Sequence, residues 1–345
     1  MRTTLRSSIT ALLAAASLFA LTATARASFD WENLEGDIPG VAEIKDPNVI
    51  NPWGLALSPS GTIFVADNGA GVATVYFQDG TPAPSFNNRL VITIPTSSTN
   101  TGDANPTGVA ANNTPFFKVT NGSNTLPAKM IFVSEDGTIS GWNSNLSNTQ
   151  AFKAVDNGPS GAVYKGATLG ANNGQNFLFV TNFSSGRVET YNQNFQAVNP
   201  SGFTDPNLPA DYAPFGIRNL NGRIFVTYAK RNPSNPDDDL AGAGFGYVDV
   251  FNTNGQLLRR LISNGRLNAP WGLEIVNGQL WVGNFGDGKI NVYDPSNGNF
   301  LGTPRDTFGI PLAFDGLWGL FLSNGYVFFT AGIADEDHGI FGAIF

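Results

Sequence analysis

The phrase Pro52-Trp53-Gly54-Leu55-Ala56 decides the fold, because its core returns five times along the chain. Thr107-Gly108-Val109, Lys165-Gly166-Ala167, Phe215-Gly216-Ile217, Trp271-Gly272-Leu273 and Trp318-Gly319-Leu320 each set an apolar residue after a glycine. These glycines stand 54, 58, 50, 56 and 47 residues apart, a mean of 53. A period of this length marks a repeat architecture in which each unit is one supersecondary element. Six such units fill residues 28 to 345 and leave none for a second domain.

Within a unit, short β-branched and aromatic runs follow the glycine. In the first they are Thr62-Ile63-Phe64-Val65-Ala66-Asp67, Ala73-Thr74-Val75-Tyr76-Phe77 and Leu90-Val91-Ile92-Thr93-Ile94. The fifth repeats them as Gln279-Leu280-Trp281-Val282-Gly283-Asn284, Lys289-Ile290-Asn291-Val292-Tyr293 and a run around Phe300. Asn221-Gly222, Asn277-Gly278 and Asn324-Gly325 are hairpin turns between the first two strands of their units. Four antiparallel strands per unit make a propeller blade, so the expected fold is an all-β, six-bladed β-propeller. A sandwich would need about 100 residues per domain, and β-helix coils are far shorter. The glycine belongs where inner strands crowd the axis and a Cβ would clash. Trp53, Trp271 and Trp318 are expected to pack between blades, or to stack on sugars if exposed. After Gly319 only 26 residues remain, enough for three strands. Residues 41–45 are expected to supply the fourth and so complete the last blade with an N-terminal strand, covering its open edge.

Residues 1–27 carry Arg2 and Arg6, an apolar stretch from Ile9 to Ala25, and Ala25-Arg26-Ala27, the pattern of a cleaved signal peptide. The mature chain is then 28–345, secreted to the periplasm or the extracellular space, with no membrane insertion. Its 16 basic residues face 27 acidic ones, a surface that repels nucleic acid and anionic lipid. The chain has no cysteine, which excludes disulfides, thiolate metal sites and cysteine nucleophiles. His338 is the single histidine, so multi-histidine metal sites are excluded, and no Gly-x-Ser-x-Gly elbow accompanies it. A cysteine-free secreted monomer from a bacterium is expected.

In a propeller the strand 2 to 3 and strand 4 to 1 loops emerge on one face, which here gathers 16 of the 27 acidic residues. Two long insertions on that face hold Pro236-Asp237-Asp238-Asp239 and Ala334-Asp335-Glu336-Asp337. Asp237, Asp238, Asp239, Asp335, Glu336 and Asp337 are candidate Ca²⁺ ligands, since clustered carboxylates suit a hard cation; the alternative is a solvated, charged loop. Asp67, Asn68, Glu135, Asp136, Asn182, Asn284 and Asp287 end second strands or follow them in blades 1, 2, 3 and 5. They are candidate binding residues at the channel mouth, or else turn formers. Two positions after the glycine stand Ala56, Ala110, Thr168, Arg218, Glu274 and Phe321. Opposite charges in neighbouring blades predict an Arg218–Glu274 ion pair near the axis, structural or else holding a channel base.

Pro52-Trp53-Gly54-Leu55-Ala56 with Ile63-Phe64-Val65-Ala66-Asp67, and Pro270-Trp271-Gly272-Leu273 with Leu280-Trp281-Val282-Gly283-Asn284, resemble NHL repeats. Together with Glu135-Asp136-Gly137-Thr138-Ile139-Ser140-Gly141-Trp142 and Asp335-Glu336-Asp337-His338-Gly339-Ile340-Phe341-Gly342, they look like a family of secreted bacterial NHL-like propellers with no assigned activity. Some members of that family carry a C-terminal sorting anchor. This chain ends at Phe345 within its last strand, so free release is expected. The resemblance implies a scaffold for recognition, presenting an acidic, loop-rich face to a carbohydrate, peptide or envelope partner with or without Ca²⁺. The alternative is a calcium-dependent hydrolase of lactonase or esterase type with its site in the central channel.

Overall fold

The computed structural model describes residues 28–85, 88–198 and 202–345; the stretch read as a signal peptide lies outside them. Six antiparallel sheets surround one axis, and the chain is a six-bladed β-propeller. Blade 1 runs from axis to rim as Pro52–Leu57, Ile63–Asp67, Val72–Tyr76 and Val91–Thr93. Blades 2 to 5 repeat that order, starting from Pro106–Ala111, Tyr164–Asn172, Tyr212–Leu220 and Pro270–Val276. No helix of the described residues is long and apolar enough to cross a membrane.

Blade 6 starts with Leu317–Ser323, Tyr326–Ala331 and Ile340–Ile344 and is completed from the N-terminus, but not by the segment expected. Trp31–Gly36 pairs antiparallel with Ile340–Ile344, Trp31 opposite Ile344 and Gly36 opposite Ile340. Of residues 41–45, only Ile44–Lys45 is a strand, added parallel to Trp31–Gly36 as a fifth member. Burial explains why the earlier segment wins. It places Leu34 in the core and Glu35 in a buried ion pair, which hides the strand's apolar alternation behind two acids. Arg89 of blade 1 reaches Glu35 at 3.2 Å and Asp46 at 2.5 Å, and the Tyr76 hydroxyl donates to Asp46 at 3.0 Å. The N-terminal segment is thereby fastened to the first blade as well as the last.

The recurrent glycines form a closed ring of contacts. A Cβ on Gly272 would meet the Trp318 carbonyl oxygen at 2.6 Å, and one on Gly319 would meet that of Trp53 at the same distance. In every blade the glycine abuts the first strand of the next, and Gly319 returns to blade 1. Second-strand threonines reinforce these seams: Thr181 donates to the Phe215 carbonyl at 2.7 Å and Thr330 to that of Trp53 at 2.5 Å. The Asn-Gly turns adopt positive φ at both residues, 55° and 79° for Asn221 and Gly222, as a twist-compatible two-residue hairpin requires.

Candidate functional site

Four of the six residues before the glycines are aromatic and meet on the axis, and this closes the channel. Trp53, Phe215, Trp271 and Trp318, joined by Phe183 and Phe285, form one aromatic cluster. Trp53 and Trp318 are 3% and 1% exposed and pack against each other between blades 1 and 6, as expected, which leaves neither ring open to stack on a sugar. Phe285 stacks on the other side of Trp318 at 4.1 Å, and Trp271 meets both Trp53 and Trp318 edge-on at about 6 Å. The plug divides the axis into an upper mouth and a lower channel.

The mouth is a cavity of about 380 Å³ lined by Trp53, Trp318, Glu135, Lys165, Asp237, Asp238, Asp239 and Glu336, with Val163 and Asn235. Its carboxylates come from blades 2, 4 and 6. Lys165, the one charged residue in the position before a glycine, enters from blade 3. It is 2% exposed, bonds Glu135 at 2.5 Å, stands 3.9 Å from Asp238 and lies 5.2 Å above the Trp53 ring. Burial opposes its charge, but Glu135, Asp238 and Asp239 outweigh burial and hold its pKa above the usual value. Asp239 is pushed up to about 7 by burial, with Asp238 and Glu336 adding and Lys165 opposing. Glu336 is raised as well, burial again coming first.

Local backbone places these groups. Ala334, Asp335 and Glu336 lie consecutively at φ of 55°, 55° and 67°, a left-handed run that costs non-glycine residues energy and turns Glu336 inward. Arg231 donates to the Pro236 carbonyl at 3.0 Å and anchors the other acidic insertion, where Asn235–Asp239 pairs with the end of Arg223–Asn232. Asn51 joins the two halves: its amide donates to Glu336 at 2.6 Å and its oxygen accepts from the Trp318 indole at 2.9 Å. Asn68 donates to Glu135 at 2.9 Å. Asn51 and Lys165 were not among the residues picked from the sequence, although Lys165 shares with Trp53 the repeat position before the glycine.

The predicted residues therefore divide. Asn68, Glu135, Asp237, Asp238, Asp239 and Glu336 gather at or beside the mouth, whereas Asp335 and Asp337 do not line it. Asp67 is wholly buried and accepts from the Thr74 amide, its pKa driven far up by burial. Asp136 accepts from the Ser97 amide at 2.7 Å and the Thr138 hydroxyl at 2.8 Å. Asn182 accepts from the Val163 and Ser185 amides. Asn284 donates to the Arg266 carbonyl and to Asp287, which also holds Lys289 at 3.0 Å. These last five brace loops. His338 pairs with Asp37 at 2.6 Å, at the junction of the N-terminal segment and blade 6.

A Ca²⁺ ion takes six to eight oxygens at about 2.3–2.6 Å. Among the described residues no group of three or more His, Cys, Asp or Glu side chains is disposed to hold a metal. The Lys165 ammonium stands where a cation shared by these carboxylates would sit, so the residues as arranged do not fit the ion.

Below the plug, the lower channel is a cavity of about 280 Å³. Arg218 and Glu274 form the expected pair at 2.7 Å, with the guanidinium 5.0 Å from the Phe321 ring.

Among solved structures the fold is shared with a streptogramin B lyase (TM-score 0.52, 15% identity, covering 92% of this chain and 97% of that one). It is also shared with a structural genomics protein of unknown function from Bacteroides thetaiotaomicron (TM-score 0.57, 10% identity, 92% and 76%). At such identities the likeness defines the class, a six-bladed propeller, and nothing finer. No family model matches the sequence. The chain is 30% identical over 315 residues to uncharacterized protein R648 of Acanthamoeba polyphaga mimivirus, covering 87% of this chain and 76% of that protein, and belongs to its family. Uncharacterized protein L690 of the same virus is 29% identical over 315 residues, covering 87% and 81%. Both relatives are viral and lend nothing to the expected bacterial source.

Proposed function

We propose that the protein is a binding module that works outside the cell as a monomer and takes a cationic segment of a peptide or protein partner into its acidic mouth. One observation carries this reading: five carboxyl groups from three blades line a closed-bottomed cavity that holds a single ammonium. Lys165 neutralises only part of that charge, and a Lys or Arg side chain from a partner would complete it. Asp239 Oδ2 is buried without a hydrogen-bond partner, which supplies an acceptor to such a side chain, whose nitrogens only donate. The NHL-like phrases agree with a recognition scaffold, although fold alone does not give function. Carbohydrate is disfavoured by the burial of the mouth's tryptophans. Calorimetric titration with tetralysine at low salt tests the proposal. Saturable binding is expected, weakened by salt and lost when the lysine side chains are acetylated. Binding that survives acetylation, or none at all, overturns it.

A hydrolase of lactone or ester type is the second reading, and Asp239 is what favours it. A carboxyl group titrating at about 7 is matched to general acid–base work near neutral pH. That reading calls for Ca²⁺ in the place Lys165 holds. A ligand that binds only the native state raises the melting temperature, so melts with millimolar Ca²⁺ and with EDTA separate the two. We expect identical curves; a rise with Ca²⁺ would favour the hydrolase.

A further inference from the structure

The lower channel has a character opposite to that of the mouth. Three of its six ring positions hold small residues, Ala56, Ala110 and Thr168 from blades 1 to 3, and leave a crescent of space opposite Arg218, Glu274 and Phe321. The remaining lining is mostly aliphatic, including Leu55, Val109, Ile217 and Leu273. Among the described residues that line it, Arg218 is the only charged one.

Glu274 does not face the cavity. Its Oε1 accepts from the Ile275 amide at 2.9 Å, and its Oε2 accepts from the Leu322 amide at 3.0 Å and from Arg218 at 2.7 Å. A carboxylate fixed in this way orients the guanidinium from behind. Arg218 has five N–H donors; beyond the bond to Glu274, the structure shows only a long 3.4 Å contact to the Leu320 carbonyl. One cation, held rigid, with spare donors at the wall of an apolar cavity of about 280 Å³, is the arrangement that receives a carboxylate on an apolar body.

We propose that the lower channel is a second binding site, separated from the mouth by the aromatic plug, for a small organic carboxylate about the size of a substituted benzoate. The carboxylate takes the free edge of Arg218, and the ring fills the crescent beside Ala56 and Ala110.

The test uses 4-nitrobenzoate, a quencher of indole fluorescence, because Trp271 borders the cavity. Saturable quenching is expected. The neutral analogue 4-nitrobenzamide binds at least about tenfold more weakly, the scale of one charge-assisted hydrogen bond. The paired variant Arg218→Gln with Glu274→Gln removes both charges without stranding either, and loses affinity for the acid by a similar factor while leaving that for the amide unchanged. Ala110→Leu fills the crescent and abolishes quenching by both, and a melting curve confirms that each variant is folded. Tetralysine at the mouth does not compete. Equal affinity for acid and amide, indifference to Ala110→Leu in a folded variant, or no saturation up to about 10 mM overturns the proposal.

Discussion

Trp53 lies flat on Trp318, ring centroids 3.5 Å apart and planes 18° from parallel, so the first and last blades meet face to face on the axis. The contact couples ring closure to channel closure. Trp318→Ala removes a side chain that is 1% exposed and the partner of Asn51, and should cost about 3–5 kcal/mol. Urea unfolding monitored by circular dichroism measures it; a loss below about 1 kcal/mol would show that the plug is not a core.

Lys165→Met keeps the bulk at the top of the plug and strips the mouth of its ammonium. Truncating one member of a buried pair costs about 3–5 kcal/mol, but Glu135 is 27% exposed and water screens it, so about 2 kcal/mol is expected at pH 7.5. The penalty should shrink by pH 4.5, as protonation relieves the crowded carboxylates. A penalty that does not change with pH would mean that lost packing, not charge, accounts for it.

Burial raises Glu35, Asp239 and Asp249 to about 7 each. A carboxyl group whose folded pKa lies above its unfolded value binds protons more tightly in the native state, so its contribution is full below about pH 4 and disappears as pH climbs through 7. The melting temperature should therefore be higher at pH 5.5 than at pH 8. Asp249→Asn should flatten that slope, because Asp249 is fully buried and its burial, with Asp205 adding, outweighs Arg260 at 3.8 Å. Melting curves that rise with pH over this interval would contradict these assignments.

Deleting residues 28–45 removes the fourth and fifth strands of blade 6 and bares the edge of Ile340–Ile344. Unpaired edges recruit other chains, so size-exclusion chromatography should show aggregates in place of a monomer. The point variant Leu34→Ala, at a core position of the same strand, should remain monomeric and lose about 2–4 kcal/mol. A monomeric, stable deletion variant would mean that closure does not depend on this strand.

The blade number was legible because the glycine has a local cause that repeats: an inner strand too close to its neighbour for a Cβ. The Arg218–Glu274 pair was legible for the same reason, since a fixed offset from that glycine sets the two residues side by side on neighbouring inner strands. The mouth was only half legible. Acidic insertions could be assigned to one face, but whether Asp239 or Asp335 turns inward depends on loop backbone, such as the left-handed run at residues 334–336, which composition does not encode. Asn51, in Ile50-Asn51-Pro52, reads as an ordinary turn residue, and its bonds to Glu336 and Trp318 span more than 260 positions. The completing strand was misplaced because Trp31-Glu32-Asn33-Leu34-Glu35-Gly36 hides its alternation behind a buried acid that only Arg89, far along the chain, makes tolerable.

The pairing of Trp31–Gly36 with Ile340–Ile344 also sets an order of events. The antiparallel partner of Trp31–Gly36 lies more than 300 positions further along the chain, so the ring cannot shut until residues 340–344 are in place. A product that stops short of residue 340 is left with two loose ends, so an intact ring certifies that the chain was made at least as far as its sixth blade.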